Sequence, residues 1–212
     1  CDLFSQIRKP AWRSTSLNER LCYFKQICFG LKYLHECDIA HLDIKPDNIL
    51  VAENGILRIT DLGCCECGHE EPGNFKSAIK LRNKLLGTPP YQPPEVSNYK
   101  SIQIEKRRKY DPFKFDYWSL GILLFVLIKG QPPFKEPKAT DLAYSEYKKI
   151  YKRLKEVYPG FVKNEMNHFP TTSPFAMGFG SPAVAQIAWR FCDPDPSTRM
   201  TLPQLFHNEY FQ

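Results

Sequence analysis

The chain has 212 residues, 42% hydrophobic and 25% charged, with a formal net charge of +6. That is the composition of a globular protein with one sizeable core or two small ones, and it excludes collagen-like and disordered classes. The longest apolar stretch, Leu120 to Ile128, falls far short of the roughly 20 residues a membrane helix requires.

The chain opens Cys1-Asp-Leu-Phe with no sustained apolar region, so no signal peptide is expected, and the lack of an initial Met suggests a fragment or processed piece. Ser16-Leu-Asn-Glu19 is a capping box, in which the Ser and Glu side chains satisfy free N–H groups at a helix start. Behind it, Leu17, Leu21, Phe24, Ile27, Leu31 and Leu34 recur at steps of three and four, which predicts an amphipathic helix to about His35. Two short apolar runs follow, Ile49–Val51 and Ile56–Ile59. Asn54-Gly55 between them favours the positive φ angles of a tight hairpin turn. Such a hairpin sets residues 41–48 just before its first strand and Asp61 just after its second. Two polar segments therefore meet at one edge.

Residues 62–114 read as a long loop rich in Gly, Pro and charge, the kind that is usually functional in a compact domain. Tyr117 to Ile128 is apolar nearly all round, which predicts a helix buried on every side; Lys129 and Gly130 close it. A further helix is expected from about Asp141 to Val157, on Leu142, Tyr147, Ile150, Tyr151 and Leu154. Residues 159–180 read as a loop. Ser181-Pro182 is an N-cap followed by Pro at the first helical position, with Val184, Ile187 and Phe191 as the apolar stripe. A last short helix starts near Thr201. The fold class is mainly α with a small β-hairpin.

Eight cysteines raise the question of disulfides or a metal. Cys64, Cys65 and Cys67 lie close to His69, but zinc sites draw on two separated ligand pairs and no second pair follows. Reduced thiols of a cytosolic protein are the expectation.

The segment His41-Leu-Asp-Ile-Lys-Pro-Asp-Asn48 resembles the catalytic loop of the eukaryotic protein kinases, H-R-D-L-K-P-x-N. By that resemblance Asp43 accepts or orients the proton of the attacking hydroxyl, and Lys45 offsets charge near the γ-phosphate. Asn48 gives an amide oxygen to Mg²⁺. Lys two places after the Asp is the Ser/Thr form. Asp61-Leu-Gly63 stands where the family has D-F-G, which makes Asp61 the second metal ligand. Gly87-Thr-Pro-Pro-Tyr-Gln-Pro-Pro-Glu95 is similar to G-T-x-x-Y-x-A-P-E. The likeness implies that Thr88 bonds near Asp43 and Lys45 and that this loop cradles the substrate backbone. Glu95 is expected to pair with Arg199, and Asp116 in Asp116-Tyr-Trp-Ser-Leu-Gly121 to steady the catalytic-loop backbone from the head of the buried helix, where the helix dipole also favours a carboxylate. His41, Glu95, Asp116 and Arg199 are thus implied as structural supports. Gln131-Pro-Pro-Phe134 and the closing His207-x-x-x-Phe211 resemble the calmodulin-dependent-kinase-like branch.

Two departures stand out. Leu42 replaces the usual Arg, which in the family pairs with an activation-loop phosphate, so activity independent of such phosphorylation is expected. No Gly-x-Gly-x-x-Gly occurs in the chain, so residues 1–212 are expected to be the C-terminal lobe of a kinase domain without its N-terminal lobe, and inactive on their own. The basic run Glu105-Lys-Arg-Arg-Lys109 reads as a solvated loop, with an acidic-partner dock or nuclear import signal as alternatives. The resemblance implies ATP and Mg²⁺ as cofactors and a protein substrate. A non-catalytic scaffold is the rival reading; a small-molecule kinase is disfavoured. No nucleic-acid or membrane partner is expected. The expected location is the cytoplasm, with the nucleus as the alternative.

Overall fold

The computed structural model describes residues 1–158, 160–161, 169, 173–208 and 211. Helix α1 (Leu3–Ile7) is capped by Asp2, whose carboxylate accepts from Ser5 N–H. The predicted capping box opens α2 (Leu17–Glu36): Ser16 Oγ accepts from Glu19 N–H while Glu19 Oε2 accepts from Ser16 N–H at 2.8 Å. Phe24, Ile27, Cys28 and Leu31 are its buried stripe.

A short strand β1 (Ile39–Ala40) precedes the expected hairpin of β2 (Ile49–Val51) and β3 (Leu57–Ile59), paired antiparallel with Leu50 opposite Arg58. Its turn uses Asn54-Gly55 differently from the expectation, since only Gly55 has positive φ, at 78°. Gly55 N–H bonds Ala52 O and Ala52 N–H bonds Ile56 O, each at 3.0 Å. Glu53-Asn54-Gly55 is therefore a three-residue loop with the left-handed residue last.

The 62–114 stretch is less irregular than its sequence suggests. Its strand β4 (Glu66–Cys67) pairs with β1, giving a second two-stranded ribbon that sequence periodicity did not signal. The buried helix α3 (Pro112–Lys129) also begins before the predicted Tyr117, at Pro112. Asp111 caps Phe113 and Lys114 N–H groups and Pro112 takes the first helical position.

Helix α4 (Leu142–Val157) matches the expected span, with Asp141 as its cap, but Leu142 is 86% exposed, so Tyr144, Tyr147, Tyr151 and Leu154 form its buried face. In α5 (Pro182–Phe191) Ser181 holds the cap position without a side-chain bond, and every residue from Val184 to Phe191 is buried. Helix α6 (Leu202–Phe206) has a Thr201–Gln204 capping box. The expected 159–180 loop lies partly outside the described residues.

One large apolar cluster joins α1 to α6, with α3 at its centre and α5 packed along it. A smaller one, of Ala40, Leu42, Val96, Tyr99, Tyr110 and Phe115, sits under residues 41–43. No helix among the described residues is long and apolar enough to cross a membrane.

Candidate active site

The site is a loop fastened to a buried helix. Asp116, fully buried, takes His41 N–H on Oδ2 at 2.8 Å and Leu42 N–H on Oδ1 at 2.7 Å. A third bond comes from His35 Nε2 at 2.9 Å. The resemblance put Asp116 at the head of α3 and invoked the helix dipole. Asp116 is instead the fifth residue of α3, beyond the first turn where the dipole acts, and these three donors are what hold it. Leu42 adopts a left-handed φ of 63° and is fully buried in the smaller cluster.

His41 spans the two polar segments. Its Nδ1 accepts from Asp43 N–H at 3.2 Å, so its Nε2 carries the proton given to Thr60 O at 3.0 Å. Thr60 N–H bonds Asn48 O at 2.9 Å. The hairpin thus delivers Asp61 to the residue next to this double clasp, also with a left-handed φ of 63°.

Four of the expected side chains meet directly. Asp43 Oδ2 accepts from Lys45 Nζ at 2.7 Å and Asn48 Nδ2 at 3.1 Å, while Oδ1 accepts from Thr88 Oγ1 at 3.0 Å. Lys45 also donates to Thr88 Oγ1 at 2.8 Å. Asp43 is 6% exposed, so its carboxylate is desolvated yet oriented on both oxygens. Asn48 spends its amide N–H groups on Asp43, leaving Oδ1 free of hydrogen bonds among the described residues. Asp61 is exposed and, among the described residues, commits only Oδ1, to Gly63 N–H at 3.2 Å. Two uncommitted hard oxygen donors on adjacent segments suit Mg²⁺.

Residues the motifs left without a role complete the frame. Ser119 Oγ donates to Tyr91 O at 2.9 Å, and Gln92 Nε2 donates to Leu86 O and Gly87 O at 2.8 and 3.0 Å. Gly87 needs its missing side chain: φ is +77°, and a Cβ there would stand 2.6 Å from Leu42 O. Arg199 grips Glu95 as expected, at 2.8 and 2.9 Å. Neither the Ser119 nor the His35 contact had a local signal, because each partner lies dozens of residues away.

The Cys64–His69 group is dispersed. Cys65 Sγ donates to His41 O at 3.8 Å, and burial, then the charge of Asp116, pushes its pKa up to about 12. His69 Nδ1 is engaged by Asp38 Oδ1 at 2.5 Å. Burial raises the Asp38 pKa, but the bonds from His69 and Gly73 N–H outweigh it and hold the carboxyl below its usual value. Among the described residues no three His, Cys, Asp or Glu side chains gather around a common point, and all eight cysteines are free thiols.

Comparison with known proteins agrees with this geometry. The protein kinase domain family matches residues 2–211. The chain is similar to the serine/threonine-protein kinase PTK1/STK1 of Saccharomyces cerevisiae, 35% identical over the whole of this chain and 33% of the relative. It is 34% identical to the serine/threonine-protein kinase PTK2 of Candida glabrata, again over the whole chain and 28% of the relative. The CBL-interacting protein kinase 2 of Oryza sativa is 29% identical, over the whole chain and 39% of its own length; relatives of this kind accord with the calmodulin-dependent-kinase-like features. The chain thus spans between about a quarter and two fifths of these relatives' length. With the catalytic-loop cluster, the Glu95–Arg199 pair and the full-length match in agreement, the chain belongs to the eukaryotic protein kinase superfamily, Ser/Thr type.

Proposed function

We propose that this chain is the catalytic, substrate-binding lobe of an enzyme that phosphorylates Ser or Thr hydroxyls of proteins. The observation that carries the reading is the Asp43–Lys45–Thr88–Asn48 cluster, in which one carboxylate is oriented by three donors. When bound, Mg-ATP supplies the phosphoryl group and the metal charge that neutralises it. Asp43 then orients the substrate hydroxyl and holds its proton. Lys45, tied to both Asp43 and Thr88, sets a positive charge beside that carboxylate. Thr88 links it to the loop 87–95, on which the substrate backbone rests. Asn48 and Asp61 are the residues that would hold Mg²⁺.

The Gly-rich loop and Lys that grip ATP in the family have no counterpart in these 212 residues. Our reading is that the whole protein supplies them elsewhere, and that the 212 residues alone transfer phosphate negligibly. A purified 212-residue piece working at ordinary kinase rates would refute that part.

The main test uses the full-length protein and Ser/Thr peptides. Asp43→Asn should lower kcat by about 10²–10⁴-fold with little change in ATP affinity. Full-length protein that transfers no phosphate, or an Asp43→Asn variant within tenfold of the parent, would favour a non-catalytic scaffold instead.

A further inference from the structure

The formal charge of +6 is not spread over the surface. Residues 105–114 carry five basic and two acidic side chains, and residues 142–157, the body of α4, carry the same numbers. These two stretches account for the entire net charge, and the rest of the chain is neutral. The fold brings them together. One cavity of about 540 Å³ is walled by Arg108, Lys109, Lys114, Lys148 and Pro94 among others. A second, of about 470 Å³, runs on along α4 past Lys149 and Lys152. The two share Tyr144, Lys148, Pro194 and Asp195, so they form one continuous groove.

The carboxylates in its walls are already committed. Glu95 is held by Arg199, Asp193 by Lys155, Asp111 caps α3, and Asp195 accepts from Ser197. The cations are not. Arg108, Lys109, Lys114, Lys148 and Lys149 have no anionic partner among the described residues, and all but the partly covered Lys114 are exposed. Five unneutralised cations at close quarters repel one another and attract a chain of opposite charge.

We infer that this groove docks an acidic segment, rich in Asp, Glu or phosphorylated residues, of the protein being phosphorylated. The inference rests on the kinase reading for the identity of the partner. The groove begins at Pro94 and Glu95, the end of the loop that carries Thr88, so a polypeptide in the catalytic cleft runs on into it. Tyr144, Pro94, Pro194 and Pro196 offer apolar walls to the stems of peptide side chains, which a bare phosphate would not use.

The test uses the full-length protein and two fluorescent Ser peptides that differ only in a six-residue tail, Asp/Glu in one and Gln/Ser in the other. Binding is read by anisotropy and turnover by phosphate transfer. The acidic tail should lower Kd and KM about tenfold, as expected of several exposed ion pairs acting together. The gain should vanish in a Lys109→Glu/Lys148→Glu/Lys149→Glu variant and shrink between 50 and 300 mM KCl, while the neutral peptide keeps its kcat. Equal anisotropy for both tails, or a gain that survives the charge reversal, overturns the dock and leaves the kinase reading intact. Tail-dependent anisotropy without phosphate transfer keeps the dock and overturns the kinase reading. Stronger retention on phosphatidylserine vesicles or single-stranded RNA than on the acidic peptide would overturn the assignment to a protein partner.

Discussion

Arg199 and Glu95, 104 residues apart in sequence, meet through two parallel bonds, Nη1 to Oε1 at 2.8 Å and Nη2 to Oε2 at 2.9 Å. Two further guanidinium donors go to Asp193 O and Lys114 O, and the plane lies over the Trp118 ring at 5.2 Å. The side chain of Arg199 is completely buried. Burial alone would lower its pKa, but the Glu95 charge raises it above the ordinary value, so the guanidinium stays charged. Removing one partner leaves a buried charge unmatched. Glu95→Gln or Arg199→Met should each cost about 3–5 kcal/mol in urea unfolding of the whole protein. The double variant Glu95→Leu/Arg199→Met should cost less than the sum of the two single changes. A strictly additive double variant would show that the pairing is incidental.

Phosphorylation of the segment between Asp61 and Gly87 should not control activity. Leu42 is buried among Ala40, Val96 and Phe115, so it reaches no phosphate. A carboxylate already binds two of the segment's four cations: Glu66 pairs with Arg82 at 3.1 Å and Lys84 at 2.5 Å. Ser77, the one hydroxyl residue in that stretch, donates to Asn74 O at 2.9 Å within a local turn. Ser77→Ala full-length protein should keep most of its peptide phosphorylation rate. Activity below a tenth of the parent would contradict this.

Gly87→Ala should damage catalysis more than its size suggests. The left-handed φ and the 2.6 Å approach to Leu42 O leave no room for a methyl group. The loop must shift, and Thr88 with it. A displacement of about 1 Å at the Asp43–Lys45 cluster is expected to lower kcat by around 10²-fold. Retained kcat with lowered thermal stability would mean that the loop absorbs the strain without moving Thr88.

The start of α4 gives a pH signature. Asp141 accepts from Tyr144 N–H at 3.0 Å, Lys135 N–H at 3.0 Å and Glu136 N–H at 3.1 Å. Partial burial pushes its pKa up, but those backbone bonds outweigh this and set it below the usual carboxylate value. A depressed folded pKa means that the stabilisation is fully present above about pH 4, the unfolded value, and fades as pH falls through the lower folded value. Asp141→Ala should therefore cost about 0.5–2 kcal/mol at pH 7 and progressively less below pH 4. A cost independent of pH would place the effect in something other than the charge.

Local chemistry made much of this molecule readable in advance. Ser16, Thr201 and Asp141 are caps that each accept from the N–H three residues on, so their helices start where these residues stand. The catalytic loop was legible because Asp43, Lys45 and Asn48 sit within six positions of one another. The features without a local signal depend on distant partners. The ribbon of Ile39–Ala40 with Glu66–Cys67 is two residues long and has no period to detect. His35 and Ser119 serve the site through bonds spanning 81 and 28 residues. The apolar run alone points to a helix start at Tyr117, whereas the cap Asp111 with Pro112 behind it starts α3.

Asp116 belongs to a deeply enclosed helix, yet both its oxygens hold the backbone of residues 41–42. Residues 41–43 consequently have no melting point independent of that helix. Warming cannot loosen residues 41–43 without first dissolving the hydrophobic centre that surrounds α3. Heat inactivation and loss of tertiary structure should follow a single curve.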